Sequence, residues 1–338
     1  MSNDNISSPF EFEEPPKKRK GFALPLIIGV LIGFGLFVAF QSFSGGGGGP
    51  ITDSHLSDHS FAAGNIRRIT SDLGVTNINV RNHDGNDIRV YFNAPAMGNY
   101  LRPRWELSGG TLNIYRERQN VSAVFGISRA GSVNIYLPAN FGQGLDALEL
   151  RTSTGRINVN VAGFVANSLN LRATTGTIDI SGEIEAGSVE IQASTGRVTI
   201  GGVSASMLSA TTTTGNIVLA NAEAAGAISL RASTGRVNAT QIGTDAGLEI
   251  RTTTGNIVLE DIDSLSLAVQ ASTGRINADN LSIYGNASLT ASTGSITINN
   301  ADIEGLLETR TSTGNITFIN VEAGSYTTNS NTGRIRIN

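Results

Sequence analysis

A Thr-Gly dipeptide recurs at almost constant spacing through the second half of the chain, and no other feature restricts the fold so severely. Its glycines are Gly155, Gly176, Gly196, Gly215, Gly235, Gly255, Gly274, Gly294, Gly314 and Gly333, 19 to 21 residues apart. Self-similarity at this period marks stacked supersecondary units, none of which can bury its apolar side chains alone.

Superposing the ten units on that glycine gives the register. The positions seven and five before it, and two and four after it, are apolar in 38 of 40 cases; only Thr309 and Thr328 depart. The positions six, four and two before it, and one and three after it, are apolar in 3 of 50: Val218, Val258 and Ala268. A chain that is 39% hydrophobic cannot produce that split by composition. Period two on both sides of a corner means two strands per unit, with alternate side chains turned inward. A third apolar point follows seven residues after the glycine, as in Val203, Ile242, Ile262, Leu281 and Val321. Three short strands and three corners in about 20 residues describe one coil of a parallel β-solenoid (β-helix), so the chain is assigned to the all-β class. A leucine-rich repeat would carry LxxLxL and an asparagine ladder. A sandwich of hairpins would not repeat one sequence ten times.

The corner chemistry follows from sterics. A strand that bends without forming a hairpin needs a residue at positive φ, which glycine adopts without strain. The Thr before each glycine should form a hydroxyl ladder that satisfies corner backbone groups. Three residues before each glycine stands Ala, Thr or Ser, small enough for the inside of a bend. Ten coils at about 4.8 Å make a rod of roughly 48 Å. Four residues before each glycine runs a slower rhythm: Arg151, Arg172, Gln192, Thr211, then Arg231, Arg251, Gln270, Thr290, then Arg310 and Asn329. Duplication of a four-coil block explains it.

Residues upstream alternate in the same way with less regularity. Gly110 and Gly131 lie 21 apart and each has apolar residues two and four later, so degenerate coils are expected from about Ile66. Trp105, Tyr91, Phe92, Tyr100, Tyr115, Phe125 and Tyr136 concentrate the aromatic residues there. A terminal cap over the exposed core is the structural reading, and an aromatic ligand site the functional one.

Charge organises the N-terminus. All three lysines, Lys17, Lys18 and Lys20, sit with Arg19 in one run, followed by 19 residues, Phe22 to Phe40, without a charged side chain. A helix of that length roughly spans a bilayer's hydrocarbon layer. The basic run places the N-terminus in the cytoplasm and everything after the span outside. No small-x-small cleavage site follows, which favours an uncleaved anchor over a signal peptide. The expected division is a cytoplasmic tail (1–21), one transmembrane helix (22–40), a Gly-rich linker (41–53), irregular N-terminal coils or cap (54–145) and the regular solenoid (146–338).

Few residues invite chemistry. With no cysteine, thiol catalysis, disulfide staples and cysteine-ligated metals are excluded. A net charge of -4 excludes the basic footprint of a nucleic-acid binder. His55 and His59 are four apart near Asp53 and Asp58, but the segment lacks helical periodicity and a third ligand, so solvated linker residues are the better account. His83 sits in an HDGN turn. Glu260, Asp261 and Asp263 form the densest acidic group without a calcium-binding solenoid signature. No metal site and no cofactor are assigned. Coils of 19 to 21 residues leave no room for a catalytic cleft; only the stretch Arg116 to Arg129 is long enough to matter. Ice binding would need a flat outward Thr array, whereas outward positions carry Arg and Glu.

The corner tetrapeptides TSTGRINV, TTGTIDI and STGRVTI, behind a basic tail and one span, resemble the bacterial "putative-adhesin", toastrack-type β-solenoid family of envelope proteins. The similarity covers about residues 60 to 338. It implies a cell-surface or periplasmic interaction module, sometimes linked to envelope-stress signalling, and brings no catalytic residues. The expected function is therefore non-enzymatic: a membrane-anchored, extracytoplasmic adhesion or envelope-interaction module. Its partner would be an envelope or cell-surface protein or glycan. Immediately after the corner glycine, Arg156, Arg197, Arg236 and Arg275 alternate with Thr177, Asn216, Asn256 and Ser295. That column is suited to anionic glycan or carboxylates; a solvated face with Glu partners is the plainer account. The alternatives are envelope-stress sensing and a self-assembling scaffold that associates through an open C-terminal coil, where Ile337 is followed only by Asn338. A carbohydrate-active enzyme is the remaining one.

Overall fold

Alternating apolar residues punctuated by Thr-Gly corners do wind into a parallel β-solenoid of about ten regular turns and roughly 20 residues per coil. The computed structural model describes residues 51–53, 58–93, 103–116, 131–139, 141 and 144–338. The expected tail, apolar span and most of the glycine tether lie outside the described residues, as do His55, Tyr100, Phe125 and 117–130. Among the described residues no helix is long and apolar enough to cross a membrane.

One coil shows how the sequence makes its three sides. Ile217 to Ala220 form one side, with Ile217 and Leu219 buried. Asn221 then turns the chain at φ 51°, and Ala222 to Ala224 make the next side. A bend at Ala225 and Gly226 leads into Ile228–Thr234, which buries Ile228, Leu230 and Ala232 before the corner at Gly235. Every regular coil pairs in parallel with the next, inward residue against inward residue: Ile157 with Ile178, then Val198, Ile217, Val237 and Ile257. The interior is one continuous file of stacked aliphatic side chains, and apolar burial is the main stabilising force. Thr309, one of the two departures from the apolar pattern, is fully buried and donates its hydroxyl to Thr328 Oγ1 at 3.2 Å, which compensates its polarity.

Corner backbone bonding is uniform. Each corner glycine N–H donates to the carbonyl of the threonine one coil on, at 2.8–3.0 Å from Gly155 to Gly314. Gly235 stands at φ +147°, and a Cβ there would lie 1.8 Å from the carbonyl oxygen of Gly215. Glycine is therefore required twice, by dihedral and by contact. The expected role of the threonine one before it is corrected. Those side chains are exposed, whereas in the coils that carry Thr or Ser three positions before the glycine that hydroxyl caps a corner carbonyl: Thr252 and Thr311 donate to Gly235 and Gly294 oxygens at 3.3 and 3.0 Å. The reason is direction, since the earlier position points into the bend and the later one out of it.

A second corner, not foreseen, stacks six residues other than glycine at positive φ: Asn221, Gln241, Asp261, Asn280, Asn300 and Asn320, all between 51° and 57°. In the preceding coils Gly182 and Gly202 take this place. Asn and Asp tolerate the left-handed region because their short side chains bond locally. Here they bond along the stack: Asn320 Nδ2 donates to Asn300 Oδ1 at 3.2 Å, and Asn300 Nδ2 to Asp279 Oδ1 at 2.9 Å.

The upstream region departs from simple sequential coils. Its strands are β1 (Ile51–Asp53), β2 (Asp58–Ala62), β3 (Arg68–Asp72), β4 (Thr76–His83), β5 (Asp87–Asn93), β6 (Arg104–Ser108), β7 (Thr111–Tyr115) and β8 (Gly131–Pro138). The regular stack then begins with β9 (Leu145–Thr154) and β10 (Ile157–Thr175). β3 lies between β7 and β9, and β4 between β8 and β10, all in parallel. The coil that starts at Ile66 thus adjoins the regular stack, and the later strands β7 and β8 lie on its far side. The antiparallel pairs β2 with β5, β5 with β8, β6 with β7 and β1 with β6 complete the region. Arg89 grips Asp58 across the first of these, its Nε donating to Oδ1 at 2.8 Å and a second N–H to Oδ2. That hydrogen bond holds the Asp58 carboxyl below the usual carboxylate range.

Two substitutions separate the corners. Gly235→Ala is expected to destabilise by about 3 kcal/mol or more, from dihedral strain plus backbone overlap. Gln241→Gly, which relieves a strained L-residue, should raise stability by about 0.5–1 kcal/mol. Denaturant unfolding followed by far-UV circular dichroism checks both, and a harmless Gly235→Ala would refute the close-stacking account.

Candidate functional site

Outward side chains fall into columns because parallel, in-register rungs place equivalent positions above one another. On the side leading into the corner, the arginines four before the glycine stand beside glutamates six before it. Arg172 Nη2 lies 3.2 Å from Glu190 Oε1, and Glu190 also accepts from Gln192 Nε2 at 2.6 Å. Glu249 is held between Arg231 Nη2 at 2.7 Å and Arg251 Nε at 2.5 Å. Arg310 Nη2 meets Glu308 Oε1 at 2.6 Å. Two shallow open grooves follow the four-coil rhythm on this side. One, about 370 Å³, is lined by Arg151, Arg172, Gln192 and Thr211; the other, about 220 Å³, by Arg231, Arg251 and Gln270. Most of their guanidinium charge is already neutralised.

The column immediately after the corner differs. Arg156, Arg197, Arg236 and Arg275 are all exposed. Arg156 Nε donates to Thr177 Oγ1 at 3.0 Å and lies 4.0 Å from Asp179 Oδ2. The guanidinium groups of Arg197, Arg236 and Arg275 meet no acceptor among the described residues. The expected Glu-partnered surface is thus the neighbouring column, while in this one the cations stand two coils, about 9.6 Å, apart and those beyond Arg156 are uncompensated.

Alternation in this column has a backbone cause that spacing alone did not disclose. Asn216 Oδ1 accepts the main-chain N–H of Arg236 at 2.9 Å, Asn256 Oδ1 that of Arg275 at 2.9 Å, and Asn315 Oδ1 that of Arg334 at 3.0 Å. Asn77 does the same for Arg156 at 2.8 Å. Each asparagine satisfies a donor that the corner leaves unpaired, and its neighbour is then free to carry charge outward.

The remaining candidates serve local structure. His83 Nδ1 accepts from the Gly85 N–H at 3.3 Å, so Nε2 carries the proton toward the Asp87 carbonyl at 2.7 Å; the ring closes its turn. His59 packs against Trp105 with the rings tilted at 57° and their centroids 5.3 Å apart, and Trp105 meets Phe61 edge-on at 4.9 Å. Trp105, Phe61 and Phe92 are buried in the core of the upstream strands, whereas Tyr91 is exposed. Asp261 turns the second corner and accepts from Asn280, while Asp263 accepts from Tyr284 Oη at 3.2 Å on the next side. No group of three or more potential metal ligands comes together among the described residues.

The family model for Toastrack DUF4097 matches residues 66–229 and again 208–305. Among solved structures, a "putative adhesin" from Bacteroides fragilis matches 86% of this chain and 97% of its own at 14% identity, with a TM-score of 0.28. No curated protein matches the chain.

Substitution separates the two kinds of residue in the corner column. Asn256→Ala should lower stability by about 1 kcal/mol through loss of one backbone hydrogen bond. Arg275→Asn should leave it within about 0.5 kcal/mol, as for a surface side chain without partners. Equal losses in a urea titration would contradict the division.

Proposed function

The chain belongs to the Toastrack DUF4097 family, and from that premise we propose that it is a non-enzymatic adhesion or envelope-interaction module. The apolar segment 22–40 anchors it in a membrane, and the solenoid stands on the extracytoplasmic side. The observation that carries the reading is the file of uncompensated arginines, Arg197, Arg236 and Arg275, with Arg156 at its start. Guanidinium groups favour planar carboxylates, which they bind with paired N–H donors. A rigid file of them suits an extended polymer with repeating anionic groups, such as an acidic glycan. Multivalency supplies the affinity: each contact at an exposed site is weak, but successive contacts on one polymer act at high effective concentration. The open grooves alongside, already neutralised by Glu190 and Glu249, would flank such a polymer without competing for it.

Binding of the full chain to a polyuronate, measured by biolayer interferometry, should weaken about tenfold or more when the four arginines are replaced by asparagine. Its salt dependence should flatten together with the affinity. Unchanged binding would end the reading. Anchoring is tested separately, since the chain contains no cysteine. A membrane-impermeant maleimide on intact cells should label a Ser194→Cys variant and spare a Ser8→Cys variant; the reverse pattern would invert the topology.

A further inference from the structure

The solenoid carries a second charged column, of opposite sign and the same period. On the side that follows the second corner, Glu185, Glu223, Asp263 and Asp302 stand on every second rung, with Ser204, Gly243 and Ser282 on the rungs between, and Glu322 follows Asp302 on the very next rung. None of the four forms an ion pair among the described residues, and no arginine of residues 144–338 lies on that side. The arginine column occupies the remaining rungs: Arg156, Arg197, Arg236 and Arg275 begin the coils that lack an acid in this column. Each coil is a closed loop of three sides, so the Thr-Gly corner lies opposite the acidic side.

From these two columns we propose that the solenoid associates laterally with further copies of itself. The arginine-bearing corner of one copy seats on the acidic side of the next, displaced by one coil along the axis. A displacement of about 4.8 Å brings arginine rungs onto acid rungs along the whole column. Without it, arginine would face serine or glycine. From Glu185 to Asp302 and from Arg156 to Arg275 the two-rung spacing also limits repulsion within a column, because about 9.6 Å exceeds the Debye length of about 8 Å at physiological ionic strength; only at the C-terminal end do two acids, Asp302 and Glu322, stand on adjacent rungs. An acidic polymer could use the arginines but would leave the acidic column without a role; a second copy uses both. Because corner and acidic side point in opposite directions, two copies cannot satisfy both surfaces on each other. The contact is heterologous and extends into a row. This goes beyond the proposed polymer binding, with which it would compete for the same arginines.

The test uses the full chain in a neutral detergent, with substitutions copied from neighbouring rungs so that the coil is undisturbed. One variant carries Arg156→Asn, Arg197→Asn, Arg236→Asn and Arg275→Asn. The other carries Glu185→Ser, Glu223→Ser, Asp263→Ser and Asp302→Ser. In sedimentation velocity the unaltered chain should grow with concentration at low salt and revert to monomer near 1 M salt. Each variant alone should remain monomeric. An equimolar mixture should give dimers and nothing larger, because each partner retains one of the two surfaces. A strictly monomeric unaltered chain at low salt, or association of either variant like the unaltered chain, would overturn the proposal. The acid-column variant should still bind polyuronate in full, which separates failure of this inference from failure of the polymer-binding reading.

Discussion

The hydrogen bond from each corner glycine to the threonine carbonyl of the next coil is the contact on which the rest of the molecule depends. It forms only if successive backbones approach so closely that no Cβ fits between them, as the 1.8 Å from a hypothetical Gly235 Cβ to the Gly215 oxygen illustrates. That approach pins the rise and the register together. A slip by one residue would turn every inward aliphatic side chain to water. Register in turn creates the outward columns, because equivalent positions repeat at the same azimuth on every rung.

Columns give a solenoid a kind of surface that a globular domain rarely has. Like residues stacked on adjacent rungs must be compatible with one another, and three solutions are visible. Asparagines bond along the stack at the second corner. Glutamates are inserted between arginines on the side before the first corner. Beyond that corner, and on the acidic side, charge alternates with small neutral residues. The third solution leaves charge unpaired within the copy, so those columns, and not the grooves, offer the molecule's free electrostatic valence.

Legibility followed periodicity. Leu169, Leu171, Ile178 and Ile180 announce an inward face because two-residue alternation has one physical cause, and Thr-Gly announces a corner because few residues tolerate its dihedral. The second corner was hidden: four of its six positive-φ residues are asparagine, but Gln241 and Asp261 interrupt the series and Gly182 or Gly202 fills the same place upstream. The threonine hydroxyl ladder was assigned two positions too late, since composition shows which residues can cap a carbonyl but not which of two nearby hydroxyls points at it. At the candidate site, the arginine column was legible from spacing. Its lack of partners was not, because Arg231 and Arg236 differ only in whether a glutamate from another rung falls within reach.

By itself the sequence determined the coil, its period, its inward face and the positions of its charged columns, since each depends on contacts between residues one repeat apart. Tertiary structure decided what no local pattern encodes. It placed β7 and β8 on the far side of the coil that precedes them, because strand pairing depends on which edge is open and not on chain order. It also decided which arginines are neutralised and which opposing column faces away from them. Charge pairing depends on distances between rungs and sides that exist only once the coil has closed.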